Sequence, residues 1–134
     1  MDTREYTTEA VSLLRKLIAT PSTSRNETQA ADIMQSCIES YGLKAHRLRN
    51  NVWTIDPNYT PSRPTILLNA HIDTVKPVSS WTRDPFSPDI EDGTLYGLGS
   101  NDCGGGLCSL LQMFRLLTAK PQSYNLIYLA SAEE

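Results

Sequence analysis

Thr65-Ile66-Leu67-Leu68-Asn69-Ala70-His71-Ile72-Asp73 is the stretch that decides how this chain reads. Its run up to Ala70 is nearly all apolar, the pattern of a strand covered on both faces, and an imidazole and a carboxylate follow at once. A second such strand is expected over residues 125–132, where Asn125-Leu126-Ile127-Tyr128-Leu129-Ala130 leads through Ser131-Ala132 into Glu133-Glu134. Between them, residues 104–119 carry Leu107, Leu110, Leu111, Phe114 and Leu117 at the spacing of one helical face. Strands alternating with helices imply an α/β chain, an α/β/α sandwich around a mixed central sheet.

Working outward, residues 6–19 repeat Ala10, Leu13, Leu14, Leu17 and Ile18 on one helical stripe, and Pro21 closes that helix. Ser24-Arg25-Asn26-Glu27 has the spacing of a capping box. The helix it opens presents Ala30, Ile33, Met34, Cys37, Ile38 and Tyr41, with Gly42 as a left-handed terminator. Residues 43–48 and 52–55 read as short strands joined at Asn50-Asn51. Residues 57–64 are loop. Residues 76–94, rich in proline, aspartate and serine, form a long surface loop, and Leu95-Tyr96 a brief strand.

With 134 residues the chain suits one domain. A formal net charge of −3 lacks the basic excess of a nucleic-acid binder. No apolar run approaches a membrane span, and the first residues lack a signal-peptide pattern. Three cysteines, Cys37, Cys103 and Cys108, with no CxxC pair argue for plain thiols and a reducing, cytoplasmic setting. Cys103 stands out because it adjoins Asp102.

The polar residues collect where strands end. His71 and Asp73 follow one apolar strand, Glu133 and Glu134 the other, and Asp102 precedes a helix that opens with three glycines. Open α/β sheets bind ligands beyond the carboxyl ends of their strands. One nitrogen donor with several carboxylates suits zinc or a similar divalent ion, and an aspartate can bridge two such ions. Asp73, two residues on from His71 in extended chain, can fix the imidazole tautomer. Adjacent glutamates can divide metal binding from proton transfer. His46, between Lys44 and Leu48 on an early strand, reads as a solvated residue. The glycines Gly97, Gly99 and Gly104-Gly105-Gly106 do not make a phosphate loop, because Asp102 falls where a glycine is required and no GxxxxGK[ST] exists.

These blocks resemble the M20 family of metallopeptidases and deacetylases. Residues 67–75 are similar to its HxD motif, residues 81–102 to its second block, Ala130-Ser131-Ala132-Glu133-Glu134 to its third, and Thr20-Pro21-Ser22 to its N-terminal signature. The resemblance implies that His71 binds one metal ion, Glu134 the other, and Asp102 both. It makes Asp73 the residue that orients His71 and Glu133 the general base. It implies two Zn2+ ions per site, with Co2+ as an alternative, and hydrolysis of the amide bond of a small N-acyl amino acid. Gly97-Leu98-Gly99-Ser100-Asn101-Asp102 looks most like the acetylornithine deacetylase branch of arginine biosynthesis. Succinyl-diaminopimelate desuccinylase, small-peptide carboxypeptidase and a non-catalytic metal-binding module are the alternatives. Many relatives carry arginine at Leu98 and methionine-lysine at Cys103-Gly104, departures that bear on substrate and not on metal. Family members also have a further acidic ligand, a distant histidine and a lid or dimerisation domain. The chain is therefore expected to be the N-terminal portion of a homodimeric enzyme's catalytic domain, binding zinc weakly and hydrolysing nothing alone. Its last strand is expected to lack a neighbour and expose an apolar edge.

Overall fold

A computed structural model describes residues 2–133. Two helices come first, α1 (Thr3–Ile18) and α2 (Thr28–Ser40). The hairpin β1 (His46–Leu48) and β2 (Asn51–Ile55) and the strand β3 (Thr65–His71) follow. A two-stranded ribbon, β4 (Ile90–Glu91) and β5 (Thr94–Leu95), then interrupts the long loop. Helix α3 (Gly105–Thr118) and strand β6 (Asn125–Ser131) complete the fold.

The main sheet runs β1-β2-β6-β3, with β6 parallel to β3 and antiparallel to β2. The mixed sheet and α/β class are as the sequence implies. The side chains of Val52 and Thr54 on β2 and of Leu126, Tyr128 and Ala130 on β6 alternate onto one buried face. There they join Leu13 of α1, Met34 and Ile38 of α2, and Leu107, Leu111 and Phe114 of α3 in a single core. All three helices thus cover one face. On the other, Leu67 and Ile55 remain exposed.

Two strand expectations are overturned together. Strand β6 does not lack a neighbour; it lies inside the sheet, paired on both sides. The edge belongs to β3, which pairs with β6 alone among the described residues. Its apolar run is not covered on both faces: Ile66 is 46% exposed and Leu67 54%. The two neighbours point to opposite sides of the sheet, and neither side is covered at that end of the strand.

Local punctuation differs too. The capping box forms at Asp2 and Glu5, whose side chains each accept the other's backbone N–H at 3.0 and 2.9 Å. That starts α1 at Thr3, earlier than its apolar stripe suggests. Ser24 and Glu27 make no such box: Glu27 itself is the residue before α2, and its side chain is fully buried. The β1–β2 turn falls on Arg49-Asn50, not Asn50-Asn51, because Leu48 pairs with Asn51 and Arg49 takes the left-handed conformation (φ 55°).

Candidate metal centre

The parallel pairing of β3 and β6 sets His71 opposite Ser131, the last residues of both strands. It persists one step further, since the Ile72 N–H donates to the Ser131 carbonyl at 2.8 Å. The 22–24 segment braces the chain beyond His71: the Ser22 hydroxyl donates to the Ile72 carbonyl at 3.1 Å and the Thr74 N–H to the Ser22 carbonyl at 2.9 Å. This is the structural work of the Thr20-Pro21-Ser22 signature.

Asp102 arrives on a wide turn, Ser100–Gly104, just before α3, and the Asp102–Cys103 peptide bond is cis. Gly104 makes that turn fit, because a Cβ there would stand 2.6 Å from both the Gly99 carbonyl oxygen and the Leu14 side chain. Gly99 (φ 80°) supplies the left-handed bend before it. Gly104 therefore serves close packing against α1, whereas Gly106 borders open space.

The Nδ1 atom of His71 lies 2.8 Å from the Asp73 carbonyl oxygen. A carbonyl only accepts, so Nδ1 carries the proton in this contact and Nε2 is left to bind. Nε2 faces Oδ1 of Asp102 at 3.0 Å. The Asp73 carboxylate is buried, with Oδ1 3.6 Å from Nδ1. Asp73 thus orients His71 through its backbone oxygen first and its side chain second. An imidazole nitrogen and a carboxylate oxygen meeting this way are satisfied by a shared cation. Donors on a tetrahedral ion at 2.0–2.1 Å stand about 3.3 Å apart, close to the observed gap. The Cys103 thiol completes a group of donor atoms lying within 4.8 Å of one another. The residues therefore fit a divalent ion.

A cleft of about 540 Å³ opens beside this group, lined by His71, Asp73, Trp81, Leu98 and Asp102 among others. Asp102 is largely exposed to it.

Glu133 is not gathered in. It lies two residues beyond Ser131, but its carboxylate turns 3.9 Å from the Arg25 guanidinium, beside a separate cavity of about 150 Å³. Glu134 lies outside the described residues. Sequence reading missed Glu27 and Asn51, which hold the backbone after β6: Glu27 accepts the Glu133 N–H at 2.8 Å and Asn51 the Ala132 N–H at 2.9 Å. The one signal for Glu27 was a glutamate in a short loop, and it was absorbed by the capping-box reading.

Residues 67–134 match the profile of Peptidase family M20/M25/M40. The chain is 31% identical over 121 residues to a succinyl-diaminopimelate desuccinylase of Xylella fastidiosa, a match covering 85% of this chain and 31% of that one. Among solved structures it is similar to an M20 family metallo-carboxypeptidase of Sulfolobus solfataricus, at 25% identity and TM-score 0.73 over 100% of this chain and 31% of that one. A dinuclear metal binding peptidase of the M20 family from Bacillus subtilis shares the fold at 17% identity and TM-score 0.71, over 99% of this chain and 37% of that one. The chain belongs to peptidase family M20/M25/M40. It spans about a third of the length of these relatives.

Proposed function

We propose that this chain carries metal-binding residues of a dinuclear amide hydrolase acting on small N-acyl amino acids. The observation behind this reading is the His71–Asp102 contact, with Nδ1 committed to Asp73 and Nε2 turned to a carboxylate. His71 and Asp102 would hold one ion, and Asp102 and Glu134 are the donors proposed for a second. A bound divalent ion would polarise the amide carbonyl and bring the pKa of water towards neutrality.

Around it, the protein's own groups orient and move protons. Asp73 holds the His71 tautomer. Glu133 is the proposed general base, taking a proton from water and returning it to the leaving nitrogen. In the structure its carboxylate turns to Arg25, so this role requires a change of side-chain rotamer. Trp81 and Leu98 offer apolar contact for substrate in the cleft.

Zinc is the proposed ion, with cobalt as a substitute, and a cytoplasmic homodimer is the proposed setting. Relatives such as those of Anaplasma marginale and Xylella fastidiosa are succinyl-diaminopimelate desuccinylases, which favours an N-succinyl amino acid over N-acetylornithine as the substrate. The test is calorimetric titration of Zn2+ into this chain and its His71→Ala variant. Binding that the substitution abolishes supports the reading; equal binding by both overturns it. Comparing N-succinyl-diaminopimelate with N-acetylornithine as substrates for a protein of family length carrying this sequence then decides the acyl group.

A further inference from the structure

Glu27 is fully buried, yet it spends one carboxyl oxygen on a backbone 106 residues away: Oε2 accepts the Glu133 N–H at 2.8 Å. Its other oxygen, Oε1, is buried with no hydrogen-bond partner among the described residues. Burying a carboxyl group this incompletely satisfied is costly, and nothing in the helix requires it, since Glu27 makes no side-chain cap for α2. One residue earlier, Asn51 Oδ1 accepts the Ala132 N–H at 2.9 Å. Two side chains from separate elements therefore grip consecutive amides just where β6 ends. Between them they hold Glu133 in the left-handed conformation (φ 55°), one that a residue with a side chain rarely adopts.

We propose that Glu27 is a positioning residue for the proposed general base, fixing the backbone from which the Glu133 side chain projects. Asn51 is its accessory. The proposal rests on the metal-hydrolase reading for its catalytic meaning, but the grip itself stands apart from that reading. A carboxyl group three bonds from its Cα reaches a reacting centre reproducibly only if that backbone is fixed. The strand supplies this restraint up to Ser131 and no further. Glu27 extends it by two residues.

The test compares Glu27→Met, which keeps the volume and deletes the acceptor, with Glu27→Gln, which keeps an acceptor. Amide hydrogen exchange is followed residue by residue in this chain. Glu27→Met is expected to accelerate exchange of the Glu133 N–H by about tenfold or more, with Tyr128 in the strand still protected. Glu27→Gln restores most of the protection. Unchanged Glu133 exchange in a folded Glu27→Met variant overturns the proposal, as does equal acceleration in Met and Gln variants. A parallel Zn2+ titration separates the two readings. Absence of zinc binding by the unaltered chain sinks the hydrolase reading and leaves the exchange result to judge Glu27.

Discussion

Nε2 of His71 stands 3.0 Å from Oδ1 of Asp102, although 31 residues and a long loop separate them. The contact joins the end of a strand to a turn whose shape Gly104 permits, so fold and chemistry meet at this pair. Removing the carboxylate charge with Asp102→Asn is expected to weaken Zn2+ binding by at least about tenfold, the scale seen even for outer partners of a ligand. Asp73→Asn is expected to do less, because the nearer contact to Nδ1 comes from its backbone oxygen, which the substitution keeps. Calorimetry on both variants checks the order. Asp73→Asn as damaging as Asp102→Asn would mean that the side chain, not the carbonyl, sets the imidazole.

The three thiols should separate by reactivity. Burial pushes the Cys108 thiol up to about 12 and raises that of Cys37, so both stay protonated near pH 8. Cys103 is partly exposed and lies beside His71 and Asp102. Iodoacetamide is therefore expected to label Cys103 first and leave Cys108 untouched, by the dependence of reactivity on thiolate and access. Zn2+ should slow labelling of Cys103 specifically, read by peptide mass spectrometry. Labelling at the same rate with and without zinc would separate Cys103 from the metal centre.

The class of fold, and the three residues that the structure brings together beside the cleft, were legible because they rest on local rules. Apolar runs marked β3 and β6, helical stripes marked α1 to α3, and His71, Asp73 and Asp102 sat where such elements end. Strand order was not legible. An apolar run reports burial potential, and β3 resembles β6 in that respect, yet partners far along the chain made β6 central and β3 the edge. Glu27 was hidden for a related reason. Its partner is 106 residues away, so local spacing offered only the cap that Asp2 and Glu5 make elsewhere. The turn of Glu133 toward Arg25 is a contact between distant parts of the chain, which local spacing cannot express.

The exposed edge of β3 predicts self-association. Ile66 and Leu67 present apolar side chains on opposite faces of a strand whose outer backbone groups pair with no described element. Such edges template pairing with another chain. Light scattering of this chain is expected to show mass rising with concentration, and Leu67→Lys to return it to a monomer. Leu67 is 54% exposed, so the substitution should change stability by no more than about 0.5 kcal/mol. A concentration-independent monomer before substitution would refute the edge as a sticking point.

Alkaline pH should destabilise the fold well before its lysines titrate fully, and the sign follows from proton counting. In the unfolded chain Cys108 ionises near its ordinary value of 9.0, whereas burial in the fold holds the thiol up to about 12. Between those values the folded state binds the extra proton, so stability is complete below pH 9 and falls as pH rises. The slope is about 1.4 kcal/mol per pH unit for one such group, giving a loss of about 2 kcal/mol by pH 10.5. Tyr128 adds to it above pH 10. Its hydroxyl is fully buried and donates to the Leu107 carbonyl at 2.7 Å, and burial holds its ionisation well above the ordinary value. Urea midpoints at about pH 8 and pH 10.5 measure the effect. Cys108→Ala is expected to lessen the decline between pH 9 and 10, with the raised Cys37 thiol keeping part of it, and Tyr128→Phe to lessen the decline above pH 10, where the raised Tyr41 hydroxyl also contributes. An urea midpoint that stays level to pH 10.5 would show that the core opens to water around both groups before either ionises.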